Sequence, residues 1–426
     1  MFSNLYTISV DQIENQEMIY SKKSLDIETR ILDGLSSSLR EDSPARNIQE
    51  VKGSDGLAEE KKREIHIIYG NKAFEMTTKL LAQRDCFAGL DKHANIAIKP
   101  NLVLAKPSSS GATTEPEIVR AIVSHLQEKG FKNLSIIESA WLGEDTKRAY
   151  RVCGYEDIAA EFDIPIFDLK DDDTVICDDL SICKRALEAE LLVNVPVLKA
   201  HCQTRLTCAL KNMKGVIPDK EKRRYHQMGI HRPVASLNEK LGRQVVIVDG
   251  IRGDLTFEEG GTPVEMNRVF IAEDPVLIDA YAASLLGYRA EEIDYIAMAQ
   301  ELGVGEASLT NLRLVETNKA QDGTLVKDSA KLGQARLDFL TQRVRAEDAC
   351  SACYGSLVHA LERMSAKGTL PYRDCQLIIG QAFKKVDVPS NCLGIGSCTK
   401  ECEHYVPGCP PRADEIVRFL CQYGKK

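Results

Sequence analysis

The chain lacks any run of roughly eighteen apolar residues, so no segment reads as a membrane-spanning helix. Its first residues, MFSNLYTISVDQIENQ, lack the basic stretch and apolar core of a secretory signal. These absences lead us to expect a cytoplasmic protein with no membrane partner. No Gly-x4-Gly-Lys-Ser/Thr loop is present, and no Gly-x-Gly-x2-Gly follows an early strand. A nucleotide-hydrolysing engine or an ordinary dinucleotide enzyme is therefore not expected. There is no Gly-x-Ser-x-Gly elbow of a serine hydrolase. A net charge of −8 argues against non-specific nucleic-acid binding, so no nucleic acid is expected as a partner. No internal repeat or low-complexity tract is evident.

What is present is ordinary globular composition, 43% hydrophobic and 28% charged, over a length sufficient for two or three domains. Residues 1–62 are polar, without a clear period, and read as an N-terminal arm. From Ile65 the pattern changes. IHIIYG, ANIAIKPNLV, NLSIIESAW, IPIFDL, AELLVNVPVL, QVVIVDGI and VEMNRVFIAED read as strands. KAFEMTTKLLAQRDC, EPEIVRAIVSHLQEKG, RAYRVCGYEDIAAEF and PVLIDAYAASLLGY read as helices. Apolar strands alternating with helices imply an α/β fold, a mostly parallel sheet with helices on both faces, over residues 63–305. Residues 306–345 read as a bridge with one short strand, and 346–426 as a small C-terminal α/β module.

Cysteine is plentiful and unevenly placed. Of fourteen, eight crowd the last quarter: Cys350, Cys353, Cys375, Cys392, Cys398, Cys402, Cys409 and Cys421. In a cytoplasmic chain such a cluster points to metal ligands or reactive thiols rather than disulfides. The spacing Cys350-x2-Cys353, then Gly-Ser-Cys398, then Gly-Cys409-Pro-Pro-Arg offers four thiolates from one segment, the outer-ligand set of a [4Fe-4S] cluster. Zinc, a redox dithiol and structural thiols are the rival readings, since Cys-x2-Cys alone suits a zinc ribbon. Cys375 and Cys421 read as packing residues, and the scattered first-half cysteines as small buried apolar ones.

Two resemblances rest on these residues. IKPNLV, TTEPEIVRAIV, NVPVLKAHCQTRLTCALKNMKGVIP, VIVDGI and AEDPVLIDAYAASLLG resemble the domain-of-unknown-function family 362, whose members often carry iron–sulfur modules. The Gly396-Ser397-Cys398 and Tyr405-Val406-Pro407-Gly408-Cys409-Pro410-Pro411-Arg412 segments resemble the cluster-binding end of the complex I and [NiFe] hydrogenase small subunits. That resemblance implies Cys350, Cys353, Cys398 and Cys409 as ligands of one [4Fe-4S] cluster. The shorter stretch between Cys398 and Cys409, with Cys402 inside it and Cys392 upstream, leaves open that either replaces one of the four.

In the large domain the informative residues are basic. Four loops just past apolar strands carry Lys99-Pro100-Asn101, Glu138-Ser139, Lys199-x-His201 and Asp249-Gly250, where open parallel sheets bind ligands. Lys199, His201 and Lys211 are the expected catalytic residues, binding and polarising a small anionic or phosphorylated ligand. Arg205, Lys214 and His226 add charge, and Asn101, Thr204, Thr207 and Asn212 add neutral hydrogen-bonding groups. The bland alternative pairs these cations with Asp171–Asp173 or Asp178-Asp179. Glu138, Asp249 and Asp254 are candidate acid/base groups, and His226 with His231 a candidate metal pair. The expected function is an iron–sulfur oxidoreductase served by a redox partner protein. A non-catalytic electron carrier or maturation partner and a zinc-stabilised binding protein remain the alternatives.

Overall fold

The segment EIHIIY forms β1 (Glu64–Tyr69) because its alternate residues serve two cores. Ile68 packs into one, Ile65 and Ile67 into the other, the period-two division of a strand covered on both faces. The structure, a computed structural model, describes residues 63–255, 263–320, 336–371, 376–384, 386, 388 and 391–424. The expected arm of residues 1–62 and Cys375 lie outside them.

Helix α1 (Ala73–Gln83) leads to β2 (Ile96–Pro100), α2 (Pro116–Glu128) to β3 (Leu134–Glu138), and α3 (Thr146–Val152) with α4 (Tyr155–Phe162) to β4 (Ile166–Asp168). A hairpin of β5 (Thr174–Cys177) and β6 (Leu180–Cys183) and the one-turn α5 (Lys184–Leu187) precede β7 (Leu191–Val195). A second hairpin, β8 (Lys199–His201) and β9 (Arg205–Thr207), is followed by α6 (Ala209–Asn212), α7 (Asp219–Met228) and α8 (His231–Lys240). Then come β10 (Gln244–Asp254), β11 (Pro263–Ala272), α9 (Pro275–Leu285), α10 (Asp294–Glu301) and β12 (Arg313–Glu316). Helix starts follow local chemistry. Proline opens α2 and α9, where its missing N–H costs nothing. Asp274 caps α9 by accepting from the N–H groups of Val276 and Leu277 at 2.8 and 3.0 Å.

The large sheet has eight strands in the order β12-β1-β11-β10-β7-β2-β3-β4. All neighbours are parallel except β11, which runs antiparallel to both β1 and β10. The expected α/β class, mostly parallel with both faces covered, is what the structure has. Ile96, Ile98, Val193, Val195, Val245 and Ile247 face one core with α1–α4. Val246, Val248 and Phe270 face a second with α8–α10, and Ala97 and Leu192 a third beside it. Chain order reverses at β2: β3 and β4 extend to one side, β7 and β10 to the other. Such a switch point opens a crevice beyond the carboxyl ends of the strands.

The stretch expected to be a bridge is shared between two sheets. β12 completes the edge of the large sheet beside β1, and β13 (Val344–Ala346) begins a second sheet. With β14 (Gln376–Ile379), β15 (Cys392–Ile395) and β16 (His404–Val406) it forms a four-stranded, wholly parallel sheet. Helices α11 (Ser351–Ala366) and α12 (Ala413–Tyr423) share one core with Leu377, Ile379, Leu393 and Ile395 from one face of it.

Asp249 ties the sheet to a helix start. Its carboxylate accepts from Glu115 N at 2.8 Å, just before α2, and from Ile251 N at 3.0 Å. Burial pushes this carboxyl from 3.8 up to about 7. A raised folded pKa gives stability that is fully present below the unfolded value and lost as pH rises to the folded one. Asp249→Asn removes that titration. Urea unfolding should show the wild type losing stability relative to the variant between about pH 4 and 7, with a constant difference above. A difference that does not change over that window would show that Asp249 is not buried as described.

Candidate functional site

The crevice is built from the carboxyl ends of β2, β3 and β7. Its lining includes Lys99 at the end of β2 with Asn101 just past it, Glu138 as the last residue of β3 with Ser139 and Trp141 beyond it, and Lys199, Thr207, Lys211, Asn212, Lys214, Gly215 and Lys222 from the chain beyond β7. Its cavity measures about 70 Å³ and opens to solvent, room for a compact ligand group or a few waters. Five lysines stand against one glutamate in this lining, so its field favours negative charge.

At its floor Lys99 Nζ donates to Glu138 Oε2 at 2.8 Å and to Pro100 O at 3.0 Å, and both side chains are buried. Burial lowers the Lys99 ammonium from its usual range, and Glu138 opposes that shift. Glu138 is fixed in turn by the N–H groups of Leu102 at 3.2 Å and Ser139 at 2.7 Å. Gly215 passes so close above the pair that a Cβ there would collide with Glu138 Oε1 and Lys99 Nζ. A ladder of amides continues from the floor. Lys199 Nζ donates to Asn101 Oδ1 (3.1 Å), Asn101 Nδ2 to Asn212 Oδ1 (2.9 Å), and Asn212 Nδ2 to Asn194 Oδ1 (2.8 Å). Asp279 of α9 accepts from the N–H groups of Ala209 and Leu210 at 2.6 and 3.1 Å, so α6 points Lys211 and Asn212 into the crevice. Lys211 Nζ donates to Thr207 Oγ1 at 3.0 Å.

Of the expected residues, Lys199 and Lys211 line the crevice together with Lys99, Asn101, Thr207, Asn212 and Lys214. His201 does not. It is buried at the base of its own turn, where Nδ1 accepts from Gln203 N at 3.1 Å and Thr204 N at 3.0 Å. Arg205 and Thr204 also stay out of the lining: Arg205 lies near Glu292 at 3.8 Å, and the Thr204 hydroxyl donates to Leu206 O. Asp249 is a helix latch, and neither it nor the buried Asp254 lines the crevice. His231 stacks on Tyr295, and the His226 side chain lies outside the described residues. Four acids of the bland alternative pair with other cations: Asp171 with Lys147, Asp172 with Arg185, Asp178 with Lys240 and Asp179 with Arg224.

Lys222 and Trp141 escaped the sequence reading. Lys222 sits in the charged run DKEKRRYH, which looks solvent-facing, yet it is buried and donates to Ser139 O and Ala140 O, each at 2.8 Å. Burial lowers its ammonium to about 8. Trp141, the only tryptophan, stands half-buried in the lining. Asn194 in the apolar run LLVNV carried a usable signal, because a polar side chain inside a central strand must find partners.

In the C-terminal sheet, Cys350 follows β13, Cys398 follows β15 and Cys409 follows β16, all at carboxyl ends of parallel strands. Cys353 joins them from the first turn of α11. The neighbouring thiols act on each other: Cys353 lowers the Cys350 thiol, and Cys350 raises that of Cys353. Cys353 also feels Cys409 and Cys398, and Cys398 feels Cys350 and Cys409. Ser397 N donates to Gly408 O at 2.9 Å, and Gly408 N to Ser397 Oγ at 3.1 Å, binding the two later loops together. Gly396, at φ +88, turns toward the Cys353 sulfur, where a Cβ would stand 3.7 Å from it. Cys392 and Cys402 belong elsewhere. They pack with Ile378 and Phe383, and Ile378 faces away from the Leu377 and Ile379 side where Cys353 packs. Among the described residues no three His, Cys, Asp or Glu side chains gather as a ready metal site. Four thiols are the donor set of either a [4Fe-4S] cluster or a structural zinc.

Residues 96–284 match the family described as Domain of unknown function (DUF362). The thylakoid-associated protein sll1697 of Synechocystis sp. is 26% identical over 224 residues, covering 49% of this chain and 68% of that protein. Among solved structures, the lactate racemase apoprotein from Thermoanaerobacterium thermosaccharolyticum aligns with a TM-score of 0.31 at 15% identity. That alignment covers 51% of this chain and 55% of the racemase chain.

The buried pair sets a test. Glu138→Gln strands the Lys99 ammonium and should cost about 3–5 kcal/mol in urea unfolding, whereas the double replacement Lys99→Met with Glu138→Leu should cost far less. A double replacement that costs as much as Glu138→Gln alone would show that the two groups do not depend on each other.

Proposed function

We propose, for a chain whose residues 96–284 form a DUF362 domain, that the lysine crevice binds a small anionic or phosphorylated ligand and that the C-terminal module carries one [4Fe-4S] cluster. The protein would then act as a cytoplasmic iron–sulfur oxidoreductase served by a redox partner protein. The observation that supports this most is the grouping of Cys350, Cys353, Cys398 and Cys409 at the strand ends, with Cys392 and Cys402 set apart. When bound, such a cluster supplies one-electron transfer.

The chain's own residues have separable tasks in this reading. Cys350 immediately precedes α11, where the helix start favours a thiolate, and Cys353 lies in the first turn. Gln381 brings its amide to 3.9 Å from the Cys350 sulfur, a donor that helps hold negative charge there. In the crevice Lys199, Lys211 and Lys214 hold and polarise the anionic group. The Lys99–Glu138 pair and the asparagine ladder keep those lysines in place before a ligand arrives. Trp141 contributes a half-buried aromatic wall to the crevice.

Anaerobic purification with iron, sulfide and zinc analysis tests the cofactor. About four irons and four sulfides per chain are expected, lost in Cys409→Ser and kept in Cys392→Ser. A colourless protein holding one zinc and no sulfide would overturn the reading. The crevice is tested separately by Trp141 fluorescence during titration with pyrophosphate. Lys211→Met should weaken binding about tenfold or more, the effect of losing one charge-assisted contact. An unchanged titration in that variant would count against Lys211 as a binding residue.

A further inference from the structure

The β8–β9 hairpin touches both candidate sites. At its base Lys199 and Thr207 are cross-strand partners, and both line the crevice. The Thr207 hydroxyl accepts from Lys211, and Lys199 Nζ reaches Ala112 O at 2.8 Å as well as Asn101. At its tip Gln203 Nε2 donates to Ala349 O at 2.7 Å, the carbonyl directly before Cys350. Cys202 beside it packs with Leu337, Val358 and Tyr354. One short element therefore has its root among the lysines and its end on the backbone of the first cysteine. Only three residues lie between Lys199 and Gln203, the first two of them in β8 itself.

The hairpin is stiff for reasons that can be named. Ala200 pairs with Leu206 and His201 with Arg205. Leu206 is fully buried in the second core. His201 closes the turn by accepting two N–H groups through Nδ1, which sets the backbone of Gln203. Arg205 sits at φ +62, outside the ordinary range for its residue type, with its guanidinium over the Tyr288 ring. A displacement at the base has little room to dissipate before it reaches the tip.

We infer that Gln203 is a positioning residue that ties the Ala349–Cys350 backbone to the lysine crevice, so that occupancy of the crevice regulates the cysteine site. The regulatory purpose rests on the function proposed above; the mechanical link stands on the contacts alone. His201 acts in it by shaping the tip.

A double-mutant cycle on the full chain tests the link. Gln203→Ala removes the tip contact, and Thr207→Val removes the hydroxyl at the base with little change of shape. Lys211→Met gives a second perturbation at the base should Thr207→Val fail to fold by far-ultraviolet circular dichroism. The readout is the midpoint potential where the isolated chain contains iron, and the rate of Cys350 alkylation by iodoacetamide, followed by peptide mass spectrometry, where it does not. Each single change should shift the readout that applies, midpoint potential or alkylation rate, with the double departing from the combined single effects by at least about threefold in the equilibrium or rate constant. Gln203→Lys, which restores a donor, should move the rate back toward wild type. Additivity within about twofold, or no recovery in Gln203→Lys, would overturn the inference. A chain without iron or sulfide would sink the cofactor reading while the alkylation cycle still decides the hairpin.

Discussion

The buried contact between Lys99 and Glu138 is the constraint around which the large domain is arranged. Two charges taken out of water are tolerated only when geometry and extra hydrogen bonds replace hydration. Glu138 therefore recruits two backbone N–H groups, Lys99 recruits Pro100 O and Asn212 Oδ1, and residue 215 must be glycine to let the following turn pass over them. Asn212 is held by Asn101 and Asn194, and α6 by Asp279. The crevice is thus a by-product of satisfying one ion pair at the point where strand order reverses.

The same geometric rule places chemistry in both sheets. Parallel strands send all their following loops to one edge, and each sheet gathers its reactive side chains there. In the large sheet the edge collects lysines and amides; in the small one it collects thiols. Neither needs a long motif. A few residues past each strand suffice, because the sheet supplies the alignment.

This explains which parts were legible in the sequence. The longer strands were readable because they are apolar and bounded, while the three-residue β13 and β16 gave no such signal; the four cysteines stood out because their spacing is local. Lys199 and Lys211 were readable because each lies just beyond an apolar run. His201 misled for the same reason: its neighbours point to the crevice, but three-residue strands are too short to show their alternation, so the hairpin that turns it aside left no trace. Lys222 was hidden by exposed neighbours on α7. Asp279, a lone acid in the apolar helix PVLIDAY, had a readable signal, since a buried carboxylate in such a place must accept hydrogen bonds from another element.

The position of β1 has a consequence for the order in which the chain assembles. Its partners are β11 and β12, with Ile67 opposite Phe270 on one side and Glu64 opposite Arg313 on the other. On the ribosome the first strand of the sheet emerges some two hundred residues before either neighbour exists, a separation that makes its pairing slow as well as late. The parallel heart of the sheet, from β2 to β10, needs neither β1 nor β12 for its ladder. The segment that carries the crevice is therefore free to form first, and the edge of the sheet is sealed around it afterwards.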